Sequence, residues 1–154
     1  MEKIGILGID PAFRNLGLVS AHYYLHDGRI EIVNMDLFQT ESQADKTVRK
    51  SSDDLRRAIQ LKEAINTWSQ GCALAMAEIP TGSQSSRASW GLGIVVGVLA
   101  GCPVPLIQVS PTEVKMASVG AKTASKNAMV NWAVSLHPKA PWKHRRLKGH
   151  LELI

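Results

Sequence analysis

The chain has 154 residues, 45% of them hydrophobic and 20% charged, one domain's worth of ordinary globular composition and far from the low-hydrophobicity, high-charge regime of disordered chains. Its two cysteines, Cys72 and Cys102, have neither CxxC nor Cys/His spacing around them, which argues against a zinc site and fits a reduced, intracellular protein. The formal net charge of +5 is compatible with a polyanionic partner, and no apolar run is long enough for a membrane span or a signal peptide.

The first forty residues read as three strands. Ile4 to Ile9 is a short apolar run, Leu16 to Tyr24 follows the turn at Pro11–Asn15, and Ile30 to Phe38 follows the pair Asp27-Gly28. Asp-Gly between two alternating segments is a strong hairpin signal, so the second and third strands should be antiparallel neighbours. After a polar interval, Leu55, Ala58, Ile59, Leu61, Ile65 and Trp68 fall within half of a helical circumference, which predicts a helix capped at Asp53 or a nearby serine and ended by Gly71. Ala73 to Ala77 is a buried strand ending at Glu78, and the polar loop Pro80–Ser86 leads into a helix of small residues from about Arg87 to Ala100. Pro105 to Val109 is the fifth strand. Ser110-Pro-Thr-Glu113 then offers a capping serine, proline at the first helical position and the glutamate of a capping box. That helix ends near Gly120, and another runs from about Ser125 to Leu136, with Met129, Val130, Trp132, Ala133 and Leu136 available for burial. Beyond Pro138 no element is assigned. An antiparallel meander followed by alternating strands and helices implies an α/β chain: a mixed sheet of three antiparallel strands plus two more, flanked by helices, in a single domain over residues 1–154.

Two acids stand where a soluble fold has no structural need of them. Asp10 and Glu78 are each the first charge after a buried run, and on adjacent central strands they would share one edge of the sheet. A strand-end acid alone is usually an exposed or salt-bridged group. Two together suit a hard divalent cation, which takes oxygen ligands, keeps several waters, and serves phosphodiester hydrolysis when one or two carboxylates hold it against phosphate oxygens. The region Lys115–Lys148 adds a cationic partner surface: it carries Lys115, Lys122, Lys126, Lys139, Lys143, Arg145, Arg146 and Lys148, no Asp or Glu, and Trp132, Trp142, His137 and His144 among them. A basic run of this kind is either a solvated face or a nucleic-acid surface, and the interleaved aromatics favour the second.

The stretch from Gly8-Ile-Asp10 through Asn15-Leu-Gly17-Leu-Val resembles the opening motif of RuvC-type Holliday junction resolvases, members of the RNase H-like nuclease superfamily. Ala77-Glu78 with its polar loop and small-residue helix is similar to that family's second acidic motif, and residues 109–126 to its third, lysine-bearing region. The likeness covers roughly residues 3 to 137, and only the ordered set of motifs is specific.

The resemblance implies an RNase H-like fold and a structure-selective, Mg2+- or Mn2+-dependent endodeoxyribonuclease of recombination and repair, acting on branched DNA as a homodimer. It implies Asp10 and Glu78 as metal ligands, with Lys115 and Lys126 near the scissile or flanking phosphates. Arg14, Ser83, Gln84, Ser86, Arg87, Lys122, Lys143, Arg145 and Arg146 are the further candidate DNA contacts. The helix Trp90 to Leu99 is either a dimer face or ordinary core. A bacterial or virus-infected cytoplasm, or an organelle, is the expected location, with a viral or phage source among the options.

Two departures stand out. The family completes its site with acids on a final helix, expected here beyond Ile154 or else replaced by His150 and Glu152, with Glu152 as the third metal ligand. The loop Ile79-Pro80-Thr81 also lacks the aromatic with which bacterial members stack on a base. Two rival readings remain: a non-catalytic branched-DNA-binding protein, and a nucleotide-binding module of the actin or sugar-kinase type.

Overall fold

The computed structural model describes residues 2–80, 82, 85–147 and 150–153, with the backbone alone at 144–147 and 150–153. Strands β1 (Lys3–Asp10), β2 (Asn15–Tyr24), β3 (Ile30–Gln39), β4 (Cys72–Glu78) and β5 (Leu106–Val109) form one mixed sheet in the order β3-β2-β1-β4-β5. The β1–β2 and β2–β3 pairs are antiparallel, whereas β1–β4 and β4–β5 are parallel. This is the sheet expected from the sequence. Gly28 makes the Asp-Gly turn at φ +70°, a left-handed conformation that favours glycine. Gly5 is needed for a different reason: a Cβ there would lie 2.4 Å from the Gly71 carbonyl oxygen, where β4 begins beside β1.

Alternation of side chains divides the sheet into two unlike faces. One carries Leu7 and Ile9 of β1, Leu16 and Leu18 of β2, and Ala75 and Ala77 of β4. Against it pack Leu61 and Ile65 of α1 (Lys50–Trp68) and Val95 and Leu99 of α2 (Ser86–Ala100). Burying a leucine or isoleucine side chain is worth about 1.5–3 kcal/mol, so this layer carries most of the hydrophobic stabilisation. The opposite face presents Gly8, Asp10, Gly17, Val19, Met35, Leu37, Met76 and Glu78, and Met76 remains 39% exposed. The short helix α3 (Pro111–Ser118) borders that face through Val114, and it opens with both hydrogen bonds of the Ser110–Glu113 capping box. Helix α4 (Lys126–Leu136) packs on α3, and β6 (His144–Leu147) pairs with β7 (His150–Leu153) in a hairpin that the sequence did not reveal.

Two helices differ from expectation. Helix α1 starts at Lys50, before Asp53, and it buries Asp53, Asp54, Arg57, Leu61 and Ile65, while Leu55 and Ile59 are 63% and 48% exposed. The periodicity of apolar residues missed this because the helix turns its charged positions inward, where they neutralise one another. Asp54, Arg57, Leu61 and Ile65 recur at three- and four-residue intervals, a proper helical stripe once Asp54 and Arg57 count as inward. In α4 none of the apolar residues is fully buried, and Trp132 and Leu136 are exposed. Among the described residues no helix is long and apolar enough to cross a membrane.

Candidate metal and nucleic-acid site

Ile9 and Ala77 are register partners in the parallel β1–β4 pair, so the next residues, Asp10 and Glu78, end adjacent strands on the same face and at the same rim. Neighbouring strands run about 4.8 Å apart, which brings the two carboxylates within reach of one cation. Asp10 also faces Gly17 across the antiparallel pair, where the absence of a side chain keeps space for the carboxylate: a Cβ on Gly17 would lie 3.2 Å from the Asp10 Cβ. Both acids line a cleft of about 490 Å³, otherwise walled by apolar side chains of β2, β3, β4, β5 and α3, with Asp36 and Lys143 at one side.

The charge of Glu78 is only partly compensated by the fold. Glu78 is half-buried, and burial first, then the Asp10 carboxylate, push its carboxyl above the usual value, while Lys115 of α3 pulls the other way. Like charges sharing a site raise a carboxyl pKa in this manner, and a divalent cation between them would relieve both causes. Two oxygen-donor groups at a rigid, water-accessible rim fit Mg2+ or Mn2+, whose remaining positions are filled by water and substrate oxygens. Among the described residues no group of three or more His, Cys, Asp and Glu forms a fuller cage.

No protein-family model and no curated protein matches the chain. Solved structures do. The T. thermophilus RuvC in complex with a Holliday junction substrate is similar at a TM-score of 0.67 and 16% identity, over 95% of this chain and 86% of that one. The fold is that of RuvC. A second Thermus thermophilus RuvC structure gives a TM-score of 0.60 at 18% identity with the same coverage. A Fowlpox virus resolvase with its substrate Holliday junction DNA matches at a TM-score of 0.49 and 11% identity, over 86% of this chain and 72% of that one.

Within this RuvC-like, RNase H-like fold the other candidates scatter. Lys115 is half-buried on α3 and acts electrostatically on Glu78. Lys122, in the α3–α4 turn, and Lys126, the first residue of α4, are exposed and do not line the cleft. Ser86 is exposed at the start of α2, next to Ser85, which caps that helix by accepting from the Ala88 N–H. Lys143 reaches the cleft, where its ammonium donates to Asp36 Oδ1. Ser83 and Gln84, and the side chains of Arg145, Arg146, His150 and Glu152, lie outside the described residues.

Arg87 does not reach for either site acid. Its guanidinium donates to both oxygens of Asp54, Nη1 to Oδ2 at 2.8 Å and Nη2 to Oδ1 at 2.6 Å, and Trp90 Nε1 adds a bond of 3.1 Å. Arg57 lies 4.0 Å from the same carboxylate, stacks 3.9 Å above the Phe13 ring, and donates to Thr40 Oγ1 and to the Phe13 carbonyl. These contacts tie α1, α2 and the β1–β2 loop together behind Asp10. Asp36, Asp54 and Arg57 join this region only in the structure. An acid between Met35 and Leu37 in a strand, and a DD-x-x-R stripe in register with Leu61 and Ile65, were the available signals.

Proposed function

We propose that the chain is a structure-selective, metal-dependent endodeoxyribonuclease that resolves Holliday junctions or other branched DNA by phosphodiester hydrolysis. The observation that carries this reading is the Asp10–Glu78 pair, two carboxylates at one rim on adjacent parallel strands, close enough for Asp10 to raise the Glu78 pKa. The fold supports it, since RuvC, solved with a Holliday junction substrate, shares the architecture.

Asp10 and Glu78 would hold the divalent ion. Bound there, Mg2+ or Mn2+ supplies Lewis acidity, favouring ionisation of water and neutralising charge that develops on the phosphate. The chain's own groups do the rest. The strand ends fix the carboxylates on rigid backbone. Gly17 leaves the space beside Asp10, and Lys115 adds positive charge beside Glu78 that favours an incoming phosphate. Lys126, Lys122, Lys143, Arg145 and Arg146 are the proposed outer contacts to the DNA backbone.

A homodimer would supply two sites for two symmetric nicks. Its proposed face is the exposed side of α2, where Trp90 is 57% exposed, Val96 is exposed, and Gly93 and Gly97 have open space before them.

The test is nicking of a synthetic four-way junction with Mg2+ by the wild-type chain and by Asp10→Asn. Cleavage should fall by about three orders of magnitude or more in the variant while junction binding persists. Equal loss of binding and cleavage would count against the metal role. A second reading, a binder of branched DNA without turnover, is favoured by the lack of a third acid beside the pair among the described residues, and salt-sensitive complexes without nicks would select it.

A further inference from the structure

A second concavity, of about 400 Å³, opens on the other side of the β1–β2 loop, between the end of β3 and the N-terminal turn of α1. Arg14, Lys50, Arg57 and Arg87 line it, with the hydroxyl-bearing Thr40 and Ser42 between them. Its charges do not balance. The lining acids are Glu41 and Asp53, and Asp53 is already held by Arg56 at 2.6 Å. Beneath them, Asp54 answers two guanidinium groups at once, those of Arg87 and Arg57. Five cationic side chains thus meet three carboxylates. Arg14 and Lys50 are exposed, and neither side chain has a hydrogen bond or ion pair among the described residues.

We propose that this concavity seats a backbone phosphate of the DNA strand close to the one being cut, with Arg14 and Lys50 as its direct contacts and Arg57 as the fixed charge behind them. The proposal rests on the reading of DNA as the substrate. Arg14 lies four residues after Asp10, and four residues span at most about 14 Å of backbone, so a phosphate held there is a near neighbour of one held in the cleft. The lining is charged and hydroxylated and has no aromatic or aliphatic ledge for a base, so it suits a phosphate rather than a nucleoside. The Arg57 side chain is only 8% exposed and is braced by Thr40, Phe13 and Asp54, which fixes its charge without freezing a long surface side chain on binding.

The experiment measures the dissociation constant of a four-way junction against KCl concentration, in EDTA, for the wild-type chain, the Arg14→Ala/Lys50→Ala double variant, and Lys62→Ala, an exposed lysine elsewhere on α1. The double variant should bind about tenfold more weakly, with the slope of log K against log salt reduced by about 1, while its Tm and the Lys62→Ala curve match wild type. Wild-type affinity and slope in the double variant would overturn the phosphate seat while leaving the DNA reading intact. A wild-type chain that does not bind the junction would overturn both. A parallel arm follows Tm with inorganic phosphate: stabilisation of wild type but not of the double variant, alongside unchanged junction binding, would mark a site for free phosphate and overturn the backbone assignment.

Discussion

Two acids of this fold, Glu78 and Asp54, are withdrawn from water to different ends. Asp54 accepts three hydrogen bonds from Arg87 and Trp90 and has Arg57 behind it, and the Arg87 bonds, foremost, hold its carboxyl below the usual range. Glu78 sits beside another carboxylate, and burial drives its pKa upward. A carboxylate whose partners are all supplied by the fold is a structural clamp. One whose needs the fold leaves unmet is available to a ligand, and that asymmetry distinguishes the site from the scaffold behind it.

The contrast breaks most visibly in activity. Glu78→Gln keeps the shape of the side chain and removes its charge, so nicking should fall by about three orders of magnitude while junction affinity in EDTA holds or improves. Asp54→Ala should do the reverse, costing about 2 to 3 kcal/mol of stability, as urea denaturation would show, because Arg87 and Trp90 lose their acceptor and buried Arg57 keeps only Asp53 of its two nearby carboxylates. Nicking by the folded fraction should survive that change far better than it survives Glu78→Gln. Gly17→Ala is subtler. The new methyl must displace Asp10 by a few tenths of an ångström, so cleavage should drop about tenfold with a stability change near 1 kcal/mol.

The smallest effect is the most diagnostic of sign. The folded-state pKa of Glu78 is raised, so its contribution to stability is complete below the unfolded carboxyl value and is lost as pH rises through the folded one. Asp54, with a lowered pKa, contributes above the unfolded value and loses that contribution as pH falls through the folded one. In metal-free buffer at neutral pH, Glu78→Gln should therefore raise Tm by about 2 °C, and the gain should vanish in acid. No gain at neutral pH would mean that the Glu78 charge is already balanced by the protein.

Much of this was legible beforehand because it depends on local chemistry. The five strands and the antiparallel pairing of β2 with β3 follow from the apolar runs and the Asp-Gly turn, the start of α3 from a capping box whose two bonds are both present, and the position of Asp10 and Glu78 from a charge closing each buried run. What escaped depends on partners distant in sequence. Asp54 and Arg57 look like a solvent face until Arg87, some thirty residues later, arrives to pair with Asp54, and the apolar pattern alone turns Leu55 and Ile59 inward instead. Asp36 meets Lys143 only through the fold, and in the β6–β7 hairpin the short alternation of β7, His150-Leu-Glu-Leu153, has no counterpart in β6, His144-Arg-Arg-Leu147. His150 and Glu152, the alternative stand-ins for the third acidic motif that the resemblance implies, have side chains outside the described residues.

The proposed cleavage requires Asp10 and Glu78 to bind one divalent ion together. The most direct measurement is the thermal stability of the DNA-free protein titrated with Mn2+, for wild type, Asp10→Asn and Glu78→Gln. Wild type should gain up to about 2.7 kcal/mol at a hundredfold excess over the dissociation constant, and each single variant should lose most of that gain. Equal stabilisation of all three proteins would contradict the shared site.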